Sequence, residues 1–443
     1  PPPDMGLTEA MVRRGGGERW YYAFFPSKLA GGASSPLIPL FVISVLHLGV
    51  ASVTIAVVSV SVATVPGYIL WGDYTDKARK RKQPIVLGMA VTTLALGIMT
   101  LSPDLLTFVL GNVIYGFFLA ATVPSSTMLI MEHTPKDRWG AAIGLFTKVS
   151  GVGWMLGMAL GTVYFLVAPA LMSIELAMRL FFGICTAMSA ASWALAQAWI
   201  EEPEVRLERR WFFKDANMLR GWVFEKARHI PSVMLFVFSP RIIRKARRFF
   251  PGWGRDLDMY LLASFILFFG IQVFYVPFPV MLSQQLELDS SMIFLVFLVS
   301  SLTAASMYAW AGREVDKLGN RESQLIAWGA RAAIFPSFAV CLVLMAWGHP
   351  TLAFATVLGL SASTGVFYSI VSVAGTTTAT ELVPEYIMGE AVGAYNAVIG
   401  VGMIFGGLAG GAIAAAAGYY AVAFTTGVLT VVAVAILLGL RFK

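Results

Sequence analysis

The chain has 443 residues, 58% of them hydrophobic and only 13% charged, with a net charge of +7. A soluble domain needs about 25% charged residues to cover its surface, so this composition excludes a soluble globular protein. Several apolar runs exceed the roughly 18 residues that mark a membrane-crossing helix, which predicts an all-α polytopic membrane protein.

Residues 1–19 are expected to form a cytoplasmic N-terminal segment with Arg13, Arg14 and Arg19. They lack a short apolar core with a small-residue cleavage site, so the first span is expected to serve as its own insertion signal. Twelve spans follow, at about 20–45, 49–72, 84–102, 105–131, 139–167, 176–200, 258–282, 291–311, 324–346, 350–380, 388–416 and 419–440. They divide into an N-terminal six-helix bundle (20–200), a basic linker (201–257) and a C-terminal six-helix bundle with a short tail (258–443). The connections on one side carry Lys77 to Lys82, Lys136, Arg138, Arg313, Lys317 and Arg321, and those on the other carry no Lys or Arg. The positive-inside rule then places both termini in the cytoplasm of a plasma-membrane protein. The basic charge reflects this topology, and a nucleic-acid partner is not expected.

The linker holds 13 of the 32 basic residues, interleaved with aromatics as in Arg209-Arg210-Trp211-Phe212-Phe213. Such a segment suits the anionic headgroup layer, although a plain linker whose charge enforces topology is the preferred reading. Cys185 and Cys341 lie in separate apolar runs and read as small buried hydrophobes. No metal-ligand spacing, catalytic pair or cofactor motif is present, so no metal, cofactor or catalytic residue is expected.

One motif occurs twice, 240 residues apart. Gly72, Asp76, Lys77 and Arg81 in the first copy match Gly312, Asp316, Lys317 and Arg321 in the second. Each copy is expected to form a loop after a span. Further on, at an offset of 249, Glu132 and Pro135 match Glu381 and Pro384, and Gly153, Gly157 and Gly161 match Gly402, Gly406 and Gly410. Glycines at i, i+4 and i+8 leave a flat strip on one helix face, so that two backbones can approach closely in lipid. The chain is therefore an internal duplication, a common plan among transporters.

Over essentially its whole length the chain resembles the major facilitator superfamily. The Gly-x-x-x-Asp-Lys copies look like that family's motif A, and the glycine string in span 5, repeated in span 11, looks like its motif C. The resemblance implies two pseudo-symmetric six-helix bundles, a central cavity opening alternately to each side, and a gating role for both motif A copies. It implies that Asp76 bonds to the start of span 11, consistent with the affinity of a helix N-terminus for a carboxylate. Arg79 replaces the usual second glycine of the motif, Asn112 stands where the motif B arginine is usual, and Met158 and Gly407 replace motif C's proline.

Lys28, Lys148 and Arg331 lie within spans, where a charge costs about 2.5–3.5 kcal/mol on insertion scales. No Asp or Glu lies at comparable depth. Unpaired cations would attract an anion, so Lys28 and Lys148 are expected to bind a carboxylate or phosphate of a small-molecule substrate, unless they snorkel to the headgroups. Arg331, on a span peripheral in the family, is expected to snorkel. The resemblance places Asn112, Tyr115, Gln272, Tyr275, Tyr368 and Asn396 on spans that line or reach the cavity. Pro36, Pro39, Pro277 and Pro279 mark outer ends of spans 1 and 7 where a broken helix could flex. The expected function is alternating-access transport of a small anion by a monomer, as antiporter or uniporter, with a coupling ion or counter-substrate. An exporter of amphipathic compounds or a lipid flippase is the alternative on the same fold. A non-transporting sensor or scaffold is a third reading, and a membrane-embedded enzyme is excluded for want of catalytic groups.

Overall fold

The computed structural model describes residues 19–78, 80–134, 139–202, 254–383 and 388–440. Most of the expected linker, together with Arg79, Pro135 and Pro384, lies outside them. After a 3-10 turn, Arg19–Phe24, come α1 (Phe25–Ser44), α2 (Val50–Ala78), α3 (Lys82–Leu101), α4 (Leu105–His133), α5 (Trp139–Leu171) and α6 (Ile174–Trp199). The later helices are α7 (Arg255–Tyr275), α8 (Phe278–Gln284), α9 (Ser290–Leu318), α10 (Asn320–Ala346), α11 (Pro350–Glu381) and α12 (Met388–Leu438). In lipid every backbone polar group needs an internal partner, which leaves helices as the spanning element for sequences of this kind.

Ten helical stretches among the described residues are long and apolar enough to cross a membrane. With α1, and with α12 divided at Gly418 (φ 76°), they account for the twelve expected spans. Local chemistry sets the ends. Asp104 accepts from the Thr107 N–H at 2.8 Å, and Asp289 from the Met292 N–H at 2.9 Å, each occupying a donor that the first helical turn leaves free.

The expected motif loops need correction. Helix α2 continues through Gly72, Asp76 and Lys77 to Ala78, and α9 through Gly312, Asp316 and Lys317 to Leu318. Basic side chains are favoured at a helix C-terminus, so in both copies the Asp-Lys pair is carried in the last turns of the helix. Only Gly319 separates α9 from α10, at φ 86°, a conformation a side chain would strain. The proline expectation holds in the second half, where α7 stops before Pro277 and α8 resumes. In the first half α1 runs unbroken through Pro36 and Pro39.

The described helices fall into two compact units: residues 19–37 with 62–202, and residues 38–61 with 254–440. In the first, Trp20, Phe24, Ile85, Met89, Leu129, Ile130 and Ile200 form a buried apolar cluster, and Phe146 packs against it. In the second, the Tyr260 hydroxyl reaches the Gln324 side-chain oxygen at 3.0 Å and the Gly375 carbonyl at 2.9 Å. Gln324 in turn donates to the Thr378 hydroxyl at 2.6 Å.

Candidate functional site

The glycine rows position the helices that carry the candidate binding residues. A Cβ on Gly157 of α5 would overlap the Leu29 carbonyl oxygen of α1, and one on Gly153 would sit 3.0 Å from the Phe25 carbonyl oxygen. On α12, added Cβ atoms at Gly406 and Gly410 would overlap the carbonyl oxygens of Phe269 and Val273 in α7, and Gly402 would come within 3.0 Å of that of Phe265. Gly161 continues the α5 row. Partner positions rise with glycine positions in both cases, so each pair of helices runs parallel. Phe25 and Phe265 are equivalent under the repeat, as are Leu29 and Phe269.

Lys28 sits on this α1–α5 seam, half-buried, its Cβ 3.1 Å from where a Cβ on Gly153 would lie. Among the described residues no carboxylate pairs with it. Lys148 is exposed on α5. On α4, the buried Asn112 donates to the Phe108 carbonyl at 3.0 Å, and its side-chain oxygen has no partner. The Tyr115 hydroxyl, also buried, lies against Gly31 and Ser34 of α1. These four residues belong to the first unit.

In the second unit Gln272 is half-buried on α7 and Asn396 is exposed on α12. Tyr275 and Tyr368 are brought together around a residue that the sequence reading assigned to the headgroups. Arg331 of α10 is 2% exposed and does not snorkel. Its guanidinium lies 5.7 Å from the Phe335 ring centroid and 5.6 Å from that of Tyr368, and Nη2 reaches the Thr364 carbonyl at 3.3 Å. The Tyr275 hydroxyl meets the Thr364 hydroxyl at 3.3 Å. The available signal was the aromatic residue four positions on, at Phe335, which places a ring beside the guanidinium on one helix face.

The motif ends diverge. Arg81 is buried and paired with Glu132 at 2.8 Å, both side chains being at most 3% exposed. It also donates to the Thr75 carbonyl, while its own backbone N–H meets Glu202 at 2.9 Å. In the second copy Arg321 turns to Glu322 at 2.7 Å and to the Leu438 carbonyl at 2.9 Å, and Asn320 bonds Glu381 at 2.7 Å. Lys317 pairs with Glu314 at 3.2 Å on an exposed surface, and Asp316 is exposed. The side chains of Asp76 and Lys77 lie outside the described ones, and with them the expected bond from Asp76 to span 11.

A family model described as Major Facilitator Superfamily matches residues 21–344. The multi-drug resistance efflux pump PmrA of Streptococcus pneumoniae is 28% identical over 145 residues, covering 31% of this chain and 36% of that protein. A PmrA homolog of Lactococcus lactis is 25% identical over 178 residues, covering 37% and 42%. The matched segments thus span well under half the length of these relatives. Among solved structures, a mutant of the nucleoside transporter NupG superposes with a TM-score of 0.70 at 13% identity, covering 97% of this chain and 100% of that one. A POT family transporter gives 0.73 at 12% identity, covering 96% and 95%. A bacterial homolog of the human lysosomal transporter Spinster gives 0.62 at 15%, covering the whole of both chains. At these identities the structural likeness establishes the fold.

Proposed function

The chain belongs to the Major Facilitator Superfamily, an integral membrane transporter and not an enzyme, and from that premise we propose that it exports amphipathic organic compounds by alternating access. The observation that carries the reading is the chemistry of the candidate binding residues. In the second unit Tyr275 and Tyr368 supply flat apolar faces with a hydroxyl at one end, and Gln272 supplies an amide on the helix that carries Tyr275. Such a mixture suits solutes with an apolar body and a polar head. The similarity to proteins named multi-drug efflux pumps points the same way. In this reading both termini face the cytoplasm and the basic 201–257 segment meets anionic headgroups. The motif A residues Asp76, Lys77, Asp316 and Lys317 take part in gating.

A small anionic solute is the second reading, favoured by Lys28, which sits half-buried on the α1–α5 seam with no carboxylate partner among the described residues. Energised inside-out vesicles carrying the protein separate the two. Exporter function predicts faster accumulation of neutral and anionic amphipathic fluorophores than in vesicles without the protein. Replacing Lys28 by Ala should slow the anionic probes about tenfold, the worth of one charge-assisted hydrogen bond, and leave neutral ones unchanged. Accumulation of small carboxylates or phosphate alone would favour the second reading. Accumulation of no probe at all would contradict both.

A further inference from the structure

Arg331 stands about 16 Å along α10 from Asn320, at a rise of 1.5 Å per residue. A headgroup is out of reach of a side chain that is 2% exposed at that depth. Every acidic residue of the second unit's described helices lies in a terminal turn or a connection: Asp256 and Asp258 at the start of α7, Glu314 and Asp316 at the end of α9, Glu322 at the start of α10, Glu381 at the end of α11, Glu390 at the start of α12, with Glu287 and Asp289 before α9. Among the described residues the guanidinium therefore has no carboxylate in its surroundings, and Nε and Nη1 have no hydrogen-bond partner there. An unpaired buried cation is retained against a large desolvation cost, and intramembrane ionisable groups of this kind mark ligand pathways.

What surrounds the guanidinium is aromatic and hydroxylic. Phe335 and Tyr368 flank it within cation–π range. Tyr275 and Ser300 both meet the Thr364 hydroxyl, at 3.3 and 3.4 Å, directly beside the carbonyl that Nη2 uses. Tyr368 is 42% exposed and Tyr308, its electrostatic neighbour, is 39% exposed, so the cluster has an open side next to its buried charge. Four helices, α7, α9, α10 and α11, contribute to it.

We propose that Arg331 anchors a binding site for an organic carboxylate, whose charge meets the free Nε and Nη1 donors while its apolar body packs against Tyr275 and Tyr368. A planar guanidinium with unused donors fits a carboxylate better than a point cation does, and the rings select an organic acid over an inorganic anion. The inference rests on the reading of the chain as a carrier of organic solutes, and equilibrium binding tests it without any flux.

Benzoate is the probe, with benzamide as its uncharged isostere, inorganic phosphate as the non-aromatic anion, and the full chain in phosphatidylcholine nanodiscs. Calorimetric titration should find benzoate binding at least tenfold tighter than benzamide or phosphate. Arg331→Met should lose that binding, with a thermal midpoint in the absence of ligand equal to or above that of the parent, because a desolvated charge has been removed. Arg331→Lys keeps the charge without the fork and should bind about tenfold more weakly, and it carries the test if the Met variant does not fold. Equal benzoate affinity in parent and variant, or phosphate bound in preference to benzoate, would overturn the proposal, as would no benzoate binding to the parent. Flux of amphipathic probes without benzoate binding sinks this site and leaves the exporter reading standing. Benzoate binding without flux does the reverse.

Discussion

Trp20, Pro84, Leu129 and Phe146 occupy the repeat positions that Tyr260, Gln324, Thr378 and Tyr395 hold in the other half. The ring spacing is shared: the Trp20 and Phe146 rings lie 6.1 Å apart, and those of Tyr260 and Tyr395 lie 5.8 Å apart. The chemistry is opposite. One half holds an apolar aromatic cluster at these positions and the other a hydrogen-bonded network. The motif ends show the reverse bias, with a buried ion pair at Arg81 and Glu132 and a neutral–acid bond at Asn320 and Glu381. Duplication has thus preserved the small-residue seams that set helix spacing, while the polar groups that specify each half have moved independently.

The largest expected effect separates the motif ends. Glu132→Leu leaves the Arg81 guanidinium buried without its counter-charge, which costs about 3–5 kcal/mol. Glu381→Leu removes a hydrogen bond from an uncharged amide and should cost about 1–3 kcal/mol. Unfolding in graded denaturing detergent measures both, and equal losses would erase the distinction.

The glycine seams should behave alike in the two halves. Gly157→Ala and Gly406→Ala each force a methyl into a facing backbone carbonyl, at a cost of about 1–3 kcal/mol. Gly151→Ala, with nothing within 4 Å, is the control and should not destabilise. A tolerant Gly406 beside an intolerant Gly157 would show that only one seam is tight.

The seams were legible in the sequence because a four-residue glycine period has one meaning on a helix face. The spans were legible because apolar run length is set by bilayer thickness. The motif ends were misread: glycine and clustered charge suggested loops, but a helix C-terminus accommodates Lys and Arg, and in the second copy Gly319 alone separates the two helices. Arg331 was misassigned for a different reason. Its environment is built from four helices far apart in sequence, and a single sequence shows only the neighbours on its own helix.

A smaller effect tests the polar network. Tyr260→Phe and Thr378→Leu each remove a bond to Gln324 and should cost about 1–2 kcal/mol. The double variant should cost less than their sum, since Gln324 is already unpaired on one side. Strict additivity would mean the network acts as separate bonds.

The smallest effect concerns helix starts. Asp104 caps α4, and the Thr107 backbone N–H holds its carboxyl below the usual carboxylate range. His349, before α11, makes no capping bond. The Asp104 contribution is fully present above the ordinary carboxylate pKa and is lost as pH falls through the lowered value. Asp104→Ala should therefore be slightly less stable than the parent at neutral pH and indistinguishable from it in strong acid. His349→Ala should match the parent at neutral pH.

The most direct measurement is entrance counterflow with the purified chain alone in liposomes. Vesicles preloaded with an unlabelled amphipathic solute are diluted into a trace of the labelled one. A carrier working by alternating access predicts transient accumulation of label above equilibrium, abolished by Gly157→Leu. Label entry at the rate of protein-free liposomes, with the protein shown to be folded, would contradict the account.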